Sequence, residues 1–228
     1  MSSTSTPEGE KATRPASTLL RRSMKALGGL AALGAGALLS LLLVVAVALA
    51  VAYPNLPDIS SLTDYRPKLP LRVYTADGAL LAEFGEERRE LTPIDRIPKV
   101  MKDAVLAAED ARFYQHGGVD YKGVARAALE NLRDARSQGA STITMQVARN
   151  FYLSTEKTFT RKIYEILLAF KIERMLSKDQ ILELYMNQIF LGQRASGFAS
   201  ASQIYFGKPL SEVTVAEAAM LAGLPKAP

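Results

Sequence analysis

Cysteine is absent from this chain, and histidine occurs once. The first absence removes disulfides and thiolate metal sites and leaves the redox compartment undetermined. The second makes zinc chemistry improbable, because a zinc site draws several ligands from His, Cys and carboxylate. No internal repeat is evident, and no low-complexity tract lies beyond the N-terminal tail. Nor is there a Walker loop: no Gly-Lys-Ser/Thr follows the small-residue turn at Gly139-Ala140-Ser141. Charge is missing from Ala26 to Tyr53, where Leu39 to Val51 is almost wholly Leu, Val and Ala. At about 1.5 Å per residue this run exceeds the roughly 30 Å of a bilayer's hydrocarbon, so it predicts a transmembrane helix over 26–53.

A cleavable signal peptide is the competing reading, with Arg21, Arg22 and Lys25 as its basic flank. The apolar run is longer than the usual signal-peptide core of roughly 7 to 15 residues, which favours an uncleaved anchor. Lys11, Arg14, Arg21, Arg22 and Lys25 all precede the span, placing the N-terminus in the cytoplasm and the rest outside. Residues 1–25 read as a disordered cytoplasmic tail rich in Ser, Thr, Pro, Glu and Lys. The net charge of +5 does not point to nucleic acid, since the cations are interleaved with acids and an exported domain meets no genome. A basic face toward anionic lipid or a pyrophosphate fits better.

What remains is enough for one domain. Residues 54–93 read as a connector: prolines at 54, 57, 67 and 70 argue for extended chain, and apolar runs flanking Asp77-Gly78 predict a β-hairpin. From Ile97 onward the apolar pattern takes the helical period. Met101, Ala104, Val105 and Ala108 predict a helix that Gly117-Gly118 stops, and a second helix is expected over Val119 to Arg136. Thr142 to Asn150 reads as a short helix with Ser141 or Thr142 as N-cap. Ile163, Ile166, Leu167 and Phe170 mark the face of a long helix, and Lys178 to Leu191 and Val215 to Leu224 give two more. The exported part is therefore mainly α.

Three groups of residues carry candidate chemistry. Glu109, Phe113 and His116 fall at i, i+4 and i+7 and are expected to share one helical face. Glu109 borders an apolar stripe, and partial desolvation there suits a carboxylate to proton transfer; a surface glutamate with a capping histidine has the same spacing. Arg161 and Lys162 stand four and three residues before Glu165, the pattern of a solvated ion-pair face, or of two cations that hold a phosphate leaving group. Lys226 could add another cation. The Gly139–Thr144 turn presents free backbone N–H groups to an anion, though helix capping explains it as well.

The order of the motifs makes a stronger signal than any one of them. E-D-A-R-F-Y-Q-H-G-G (109–118), G-A-S-T-I-T-M-Q-V-A-R-N (139–150), R-K-I-Y-E-I-L-L-A-F-K-I-E (161–173), S-K-D-Q-I-L-E-L-Y-M-N-Q-I-F-L-G (177–192), Y-F-G-K (205–208) and A-G-L-P-K-A-P (222–228) together resemble glycosyltransferase family 51, the peptidoglycan polymerases. The flanking segments are most similar to class A penicillin-binding proteins of the 1A kind, which continue into a transpeptidase domain; a chain ending at Pro228 looks like the front of a longer protein.

The resemblance implies a lysozyme-like α fold over 94–228, at the outer face of the bacterial inner membrane. It implies that Glu109 is the base that deprotonates the acceptor 4-hydroxyl of lipid II, with inversion and release of undecaprenyl pyrophosphate from the growing glycan chain. Glu165 is implied as a second acidic residue on the pyrophosphate side, with Arg161 and Lys162 on the phosphates. Phe113, His116, Ser141, Thr142, Gln146, Arg149, Asn150 and Lys226 match positions lining the donor cleft, where phosphoglycolipids of the moenomycin type are expected to compete. The residues establish no required cofactor, and the resemblance allows Mg2+ or Mn2+ near the pyrophosphate. Expected partners are lipid II, the glycan chain, the membrane and other cell-wall synthesis proteins. Met145 stands where the family usually has the first of two glutamines, Arg149 where it often has lysine, and Arg194 and Ser196 where glycine and tyrosine are usual. Glu183 and Asn187 read as structural. A lysozyme-like lytic glycosidase and a non-catalytic cell-wall scaffold are the alternatives; the basic cluster and the anchor speak against the first, and the retention of both Glu109 and Glu165 against the second.

Overall fold

The computed structural model describes residues 16–62, 71–85, 88–131, 141–153 and 159–226, and the chain divides into two compact units, Met1–Asn55 and Leu56–Pro228. In the first, α1 (Ala16–Ala52) runs into a 3-10 turn at Tyr53–Asn55. Its stretch Ala32–Ala52 is long and apolar enough to cross a membrane. Leu39, Leu41, Val44 and Val51 are exposed, so no described residue of its own unit covers this apolar surface. The helix starts at Ala16, so the end of the stretch expected to be a disordered tail is helical; residues 1–15 lie outside the described residues.

In the second unit the proline-rich connector is more than extended chain. Leu56, Ile59 and Leu62 are buried, and the Asp58 carboxylate ties down a 3-10 turn at Ser60–Leu62 by accepting from Ser60 N (3.0 Å) and Ser60 Oγ (2.7 Å). Prolines there limit the helix but do not prevent three apolar anchors from entering the core. Residues 63–70, with the remaining prolines, are outside the described residues.

The hairpin forms as the sequence predicts: β1 (Leu71–Tyr74) pairs antiparallel with β2 (Leu80–Phe84), with a register irregularity at Val73/Tyr74. Its loop closes through Thr75, whose N–H donates to Ala79 O and whose carbonyl accepts from Gly78 N at φ +86. A second pairing is parallel, between β3 (Arg88–Arg89) and β4 (Ala195–Ser196), joining chain far apart in sequence. Strands of two residues carry no period, which is why the pattern did not announce them.

The helices are α2 (Lys99–Glu109), α3 (Tyr121–Asn131), α4 (Ile143–Tyr152), α5 (Phe159–Met175), α6 (Lys178–Gln188), α7 (Phe198–Phe206) and α8 (Val215–Gly223). The centre is α4, in which every side chain from Ile143 to Ala148 is buried. A helix apolar or satisfied all round belongs inside, and α4 is packed by α5 and α6 while α2 packs on α8. Capping boxes start α6 (Ser177 with Gln180) and α8 (Thr214 with Glu217), each satisfying otherwise orphaned N–H groups.

Three expectations are corrected. The first exported helix ends at Glu109, not at Gly117-Gly118, because Asp110 leaves helical geometry (φ −159, ψ 76) to direct its carboxylate inward. Gly118 instead sits at φ +91 where an added Cβ would stand 3.2 Å from Ala169 backbone atoms, so it is the close approach to α5 that requires glycine. On α5 the fully buried row is Glu165, Leu168, Ala169 and Ile172, and Ile163 lies exposed. Of the predicted face, Leu167 is buried and Ile166 and Phe170 pack on the core, so the covered face is wider than predicted, includes a glutamate and leaves out Ile163. The helix α7 was not foreseen, since Ala199, Ser200, Ala201 and Ser202 show no apolar period although all are buried. For α3 the described helix stops at Asn131, and residues 132–140 lie outside the described residues.

Candidate active site

The site is built around the N-terminal turn of α4. Thr142 is the N-cap: its Oγ1 accepts from Met145 N (3.2 Å) and donates to Gly118 O (2.6 Å). Asp110 supplies a second acceptor, with Oδ2 taking the Ile143 N–H at 3.1 Å. Both Asp110 oxygens lie 3.0 Å from His116 Nε2, in a pair whose side chains are 3% and 9% exposed. The break after Glu109 therefore serves two ends. It caps α4, and it leaves Glu109 as the last helical residue of α2, half-buried at the rim.

Glu109 Oε2 accepts from Gln146 Nε2 at 2.7 Å. Arg149 reaches the other side of that amide at 3.5 Å, too long and weak to fix it firmly. These groups line a cleft of about 430 Å³ with Asp110, Arg112, Asp120, Arg126, Ser141, Thr142 and Lys226 among its walls. Arg112 grips Asp120 through Nη2–Oδ2 (2.6 Å) and Nη2–Oδ1 (2.8 Å). Burial works against the Asp120 charge, but the Gly123 N–H and the Arg112 guanidinium outweigh it, so its pKa lies below the ordinary carboxylate value. Part of the cleft wall is thus a fixed ion pair, and Arg126, Arg149 and Lys226 give the cleft its positive charge.

A second constellation adjoins the first through Ser141. Lys162 Nζ donates to Ser141 Oγ (2.6 Å) and Glu165 Oε2 (2.9 Å), and contacts Met145 Sδ at 3.7 Å. Arg161 Nε stands 3.2 Å from Glu165 Oε1, and the Glu165 side chain is only 1% exposed. Ser141 lines the cleft, and Lys162 reaches its edge through Ser141, while Arg161, Lys162 and Glu165 are not themselves part of its lining.

The model of the transglycosylase family matches residues 77–228, well over half of the chain. The chain belongs to the transglycosylase family. Similar relatives include penicillin-binding protein 1A of Neisseria gonorrhoeae, 64% identical over 185 residues, covering 81% of this chain and 23% of that protein. Penicillin-binding protein 1A of Escherichia coli K12 is 53% identical over 176 residues, covering 77% and 21%. The crystal structure of penicillin-binding protein 1A from Haemophilus influenzae is 31% identical and covers 72% of this chain and 15% of that one, with a TM-score of 0.34 that carries no argument about the fold. This transglycosylase chain spans about a quarter of the length of the relatives it matches.

Of the residues singled out in the sequence, this transglycosylase brings Glu109, Ser141, Thr142, Gln146, Arg149 and Lys226 together around one cleft. Phe113 and His116 do not line it. With α2 ended at Glu109 they cannot share its face; Phe113 sits in a 3-10 turn, 1% exposed, its ring 4.2 Å below the Lys178 ammonium, and His116 braces Asp110. Asn150 points outward from α4 and is exposed. Glu183 and Asn187 are structural as expected: Glu183 Oε2 takes the Ile94 N–H, and the Asn187 amide exchanges two hydrogen bonds with the Thr92 backbone.

Asp110, Arg112, Asp120 and Arg126 in the lining, and Tyr185 behind it, escaped sequence reading. Asp110 looked like the partner letter of a motif, and only the fold shows that it caps α4. Tyr185 looked like one more position in the period of α6. It is fully buried, its hydroxyl finds no hydrogen-bond partner, and burial together with the charge of Glu109 pushes its pKa upward while Arg149 opposes. Among the described residues no three of His, Asp and Glu converge to hold a metal ion. The Glu165 oxygens face Lys162 and Arg161, and those of Asp110 face His116 and Ile143 N.

Proposed function

We propose that this chain is a peptidoglycan glycosyltransferase domain that extends β-1,4 glycan strands from lipid II, with Glu109 as the general base. The observation that supports it best is the state of Glu109: half-buried at the cleft, held at one oxygen by a neutral amide, with no hydrogen-bond partner for the other oxygen among the described residues. A base must be fixed in direction yet keep a lone pair for the incoming proton, and this arrangement provides both.

In the reaction, the acceptor sugar 4-hydroxyl loses its proton to Glu109 Oε1 as its oxygen forms a bond to the anomeric carbon of the donor. The bond from that carbon to the pyrophosphate oxygen breaks, the electron pair leaves with the polyprenyl pyrophosphate, and attack from the opposite face inverts the configuration. Negative charge grows on the pyrophosphate, where Lys162, Arg149 and Lys226 stabilise it electrostatically. Glu165 acts by holding Arg161 and Lys162 rather than by moving a proton, since its oxygens are buried against both cations. The apolar helix Ala32–Ala52 is read as the anchor, with the basic residues before it keeping the N-terminus cytoplasmic and the domain on the outer face of the inner membrane, where lipid II is presented. Other cell-wall synthesis proteins are the expected company there.

The test is polymerisation of labelled lipid II by the full chain and by Glu109→Gln. The wild type yields glycan strands and the variant, folded to the same melting temperature, does not. Turnover by Glu109→Gln at a near wild-type rate sinks the assignment, and release of short sugars from preformed glycan would favour the lytic reading.

A further inference from the structure

An ammonium group has three N–H donors, and Lys162 spends its three on acceptors of unequal strength. Ser141 Oγ at 2.6 Å and Glu165 Oε2 at 2.9 Å are oxygens; the third neighbour is the Met145 thioether at 3.7 Å. Sulfur in a thioether is a weak acceptor, so this third N–H is the one an incoming anion captures most readily, displacing the sulfur. Met145 cannot swing away or be replaced by water, because it is 1% exposed and packed with Val119 and Ala169 in the core beneath α5. Lys162 itself is 40% exposed at its side chain, so a ligand can reach it. Ser141, which lines the cleft, accepts from Lys162 and so keeps its own O–H to donate to the same ligand.

We infer that Met145 is an affinity-setting residue: by offering sulfur where an oxygen would compete, it keeps one N–H of Lys162 releasable to a phosphate oxygen at the Ser141 edge of the cleft. An amide at this position, the residue type expected from the resemblance, would accept from Lys162 and hold that N–H. The inference rests on the reading of the cleft as a pyrophosphate site. It adds that this chain grips the pyrophosphate more tightly than one with glutamine there, through residue 145 and not through any contact of residue 145 with substrate.

The experiment compares wild type, Met145→Gln and Met145→Leu as full chains in detergent micelles. Calorimetric titration uses farnesyl pyrophosphate as probe and farnesol as the uncharged control. Leucine matches the volume of methionine and accepts nothing, so Met145→Leu is expected to bind within about twofold of wild type, and Met145→Gln about fivefold more weakly, the worth of one ordinary hydrogen bond. In polymerisation assays the glutamine variant is expected to raise KM more than it lowers kcat. A purely structural role for Met145 predicts instead that the melting temperatures, and with them both variants' affinities, fall together. Equal affinity of wild type and Met145→Gln, equal weakening by both substitutions, or no binding of farnesyl pyrophosphate to the wild type overturns the inference. Because the Glu109→Gln assay measures turnover and this one measures pyrophosphate binding, failure of the glycosyltransferase reading and failure of the Met145 reading are separable.

Discussion

Glu109 at the end of α2 and Glu165 in the middle of α5 are both glutamates beside apolar residues, yet the fold gives them opposite surroundings. Glu109 is half-buried at the rim of a cleft with one neutral hydrogen-bond donor. Glu165 is 1% exposed, with Arg161 on one oxygen and Lys162 on the other. A carboxylate that must take a proton needs reach and an open lone pair. One that must hold two cations in place needs the opposite, since a buried charge is tolerable only when it is matched. The difference teaches that motif membership alone does not assign chemistry: on the proposed reading, the same side chain serves as a base where a helix ends and as a charge anchor where a helix is covered.

The largest effect expected from breaking this comparison is on Glu109. Substitution by glutamine keeps the size and the Gln146 neighbourhood, and is expected to lower the polymerisation rate about 100- to 10,000-fold with little change in the denaturation midpoint. Next comes Glu165→Ala, which strands Arg161 and Lys162 without their partner and is expected to destabilise the fold by about 3 kcal/mol, read by chemical denaturation. If Glu165→Ala leaves stability untouched and removes only turnover, the two carboxylates are alike and the contrast drawn here is wrong.

A position outside both regions sets the scale of a purely conformational effect. Gln193 and Arg194 have φ of 47 and 63, a left-handed conformation that disfavours side chains with a Cβ. Arg194→Gly is expected to raise stability by about 1 kcal/mol, offset in part by the lost contact of its guanidinium with Gly85 O. A thermal melt that falls on this substitution would show the guanidinium contact to outweigh the strain.

The mildest case is a third glutamate. Glu217 is half-buried, and hydrogen bonds from Lys208 foremost and from the Thr214 backbone and hydroxyl lower its pKa to about 2. A depressed folded-state value means that its contribution to the α8 cap is present above the usual glutamate range near 4.5 and is lost as pH falls toward 2. An NMR titration of Glu217 should show its midpoint near 2, moving up in Lys208→Ala. A midpoint that stays put would remove the ion pair as the cause.

Much of this domain is legible in the sequence, but unevenly. Helical period found α2, α4, α5, α6 and α8, and Asp77-Gly78 found the hairpin, because those signals are local. The helix α7 was hidden, since its small residues are chosen for close packing; at its start Gly197 sits at φ +84 with an added Cβ only 2.9 Å from Asn187 O. The end of α2 was misjudged because the glycines that usually stop helices were present, while the residue that does so here, Asp110, stops it through bonds to His116 and Ile143 N. For the same reason Phe113 and His116 were expected in the cleft. Their spacing suits a helix, and the chain there is not one.

By itself the sequence determined the apolar helix, the mainly α domain, the family and part of the cleft lining, Glu109, Ser141, Thr142, Gln146, Arg149 and Lys226, since composition, period and motif order are properties of the chain read in line. Only the tertiary structure decided which of the candidate residues face the cleft and which stand behind it. Reach, burial and ion pairing depend on what α4, α5 and α6 bring to each side chain across the fold. Linear spacing does not encode whether a glutamate ends up at a rim with one neutral partner or under a helix between two cations.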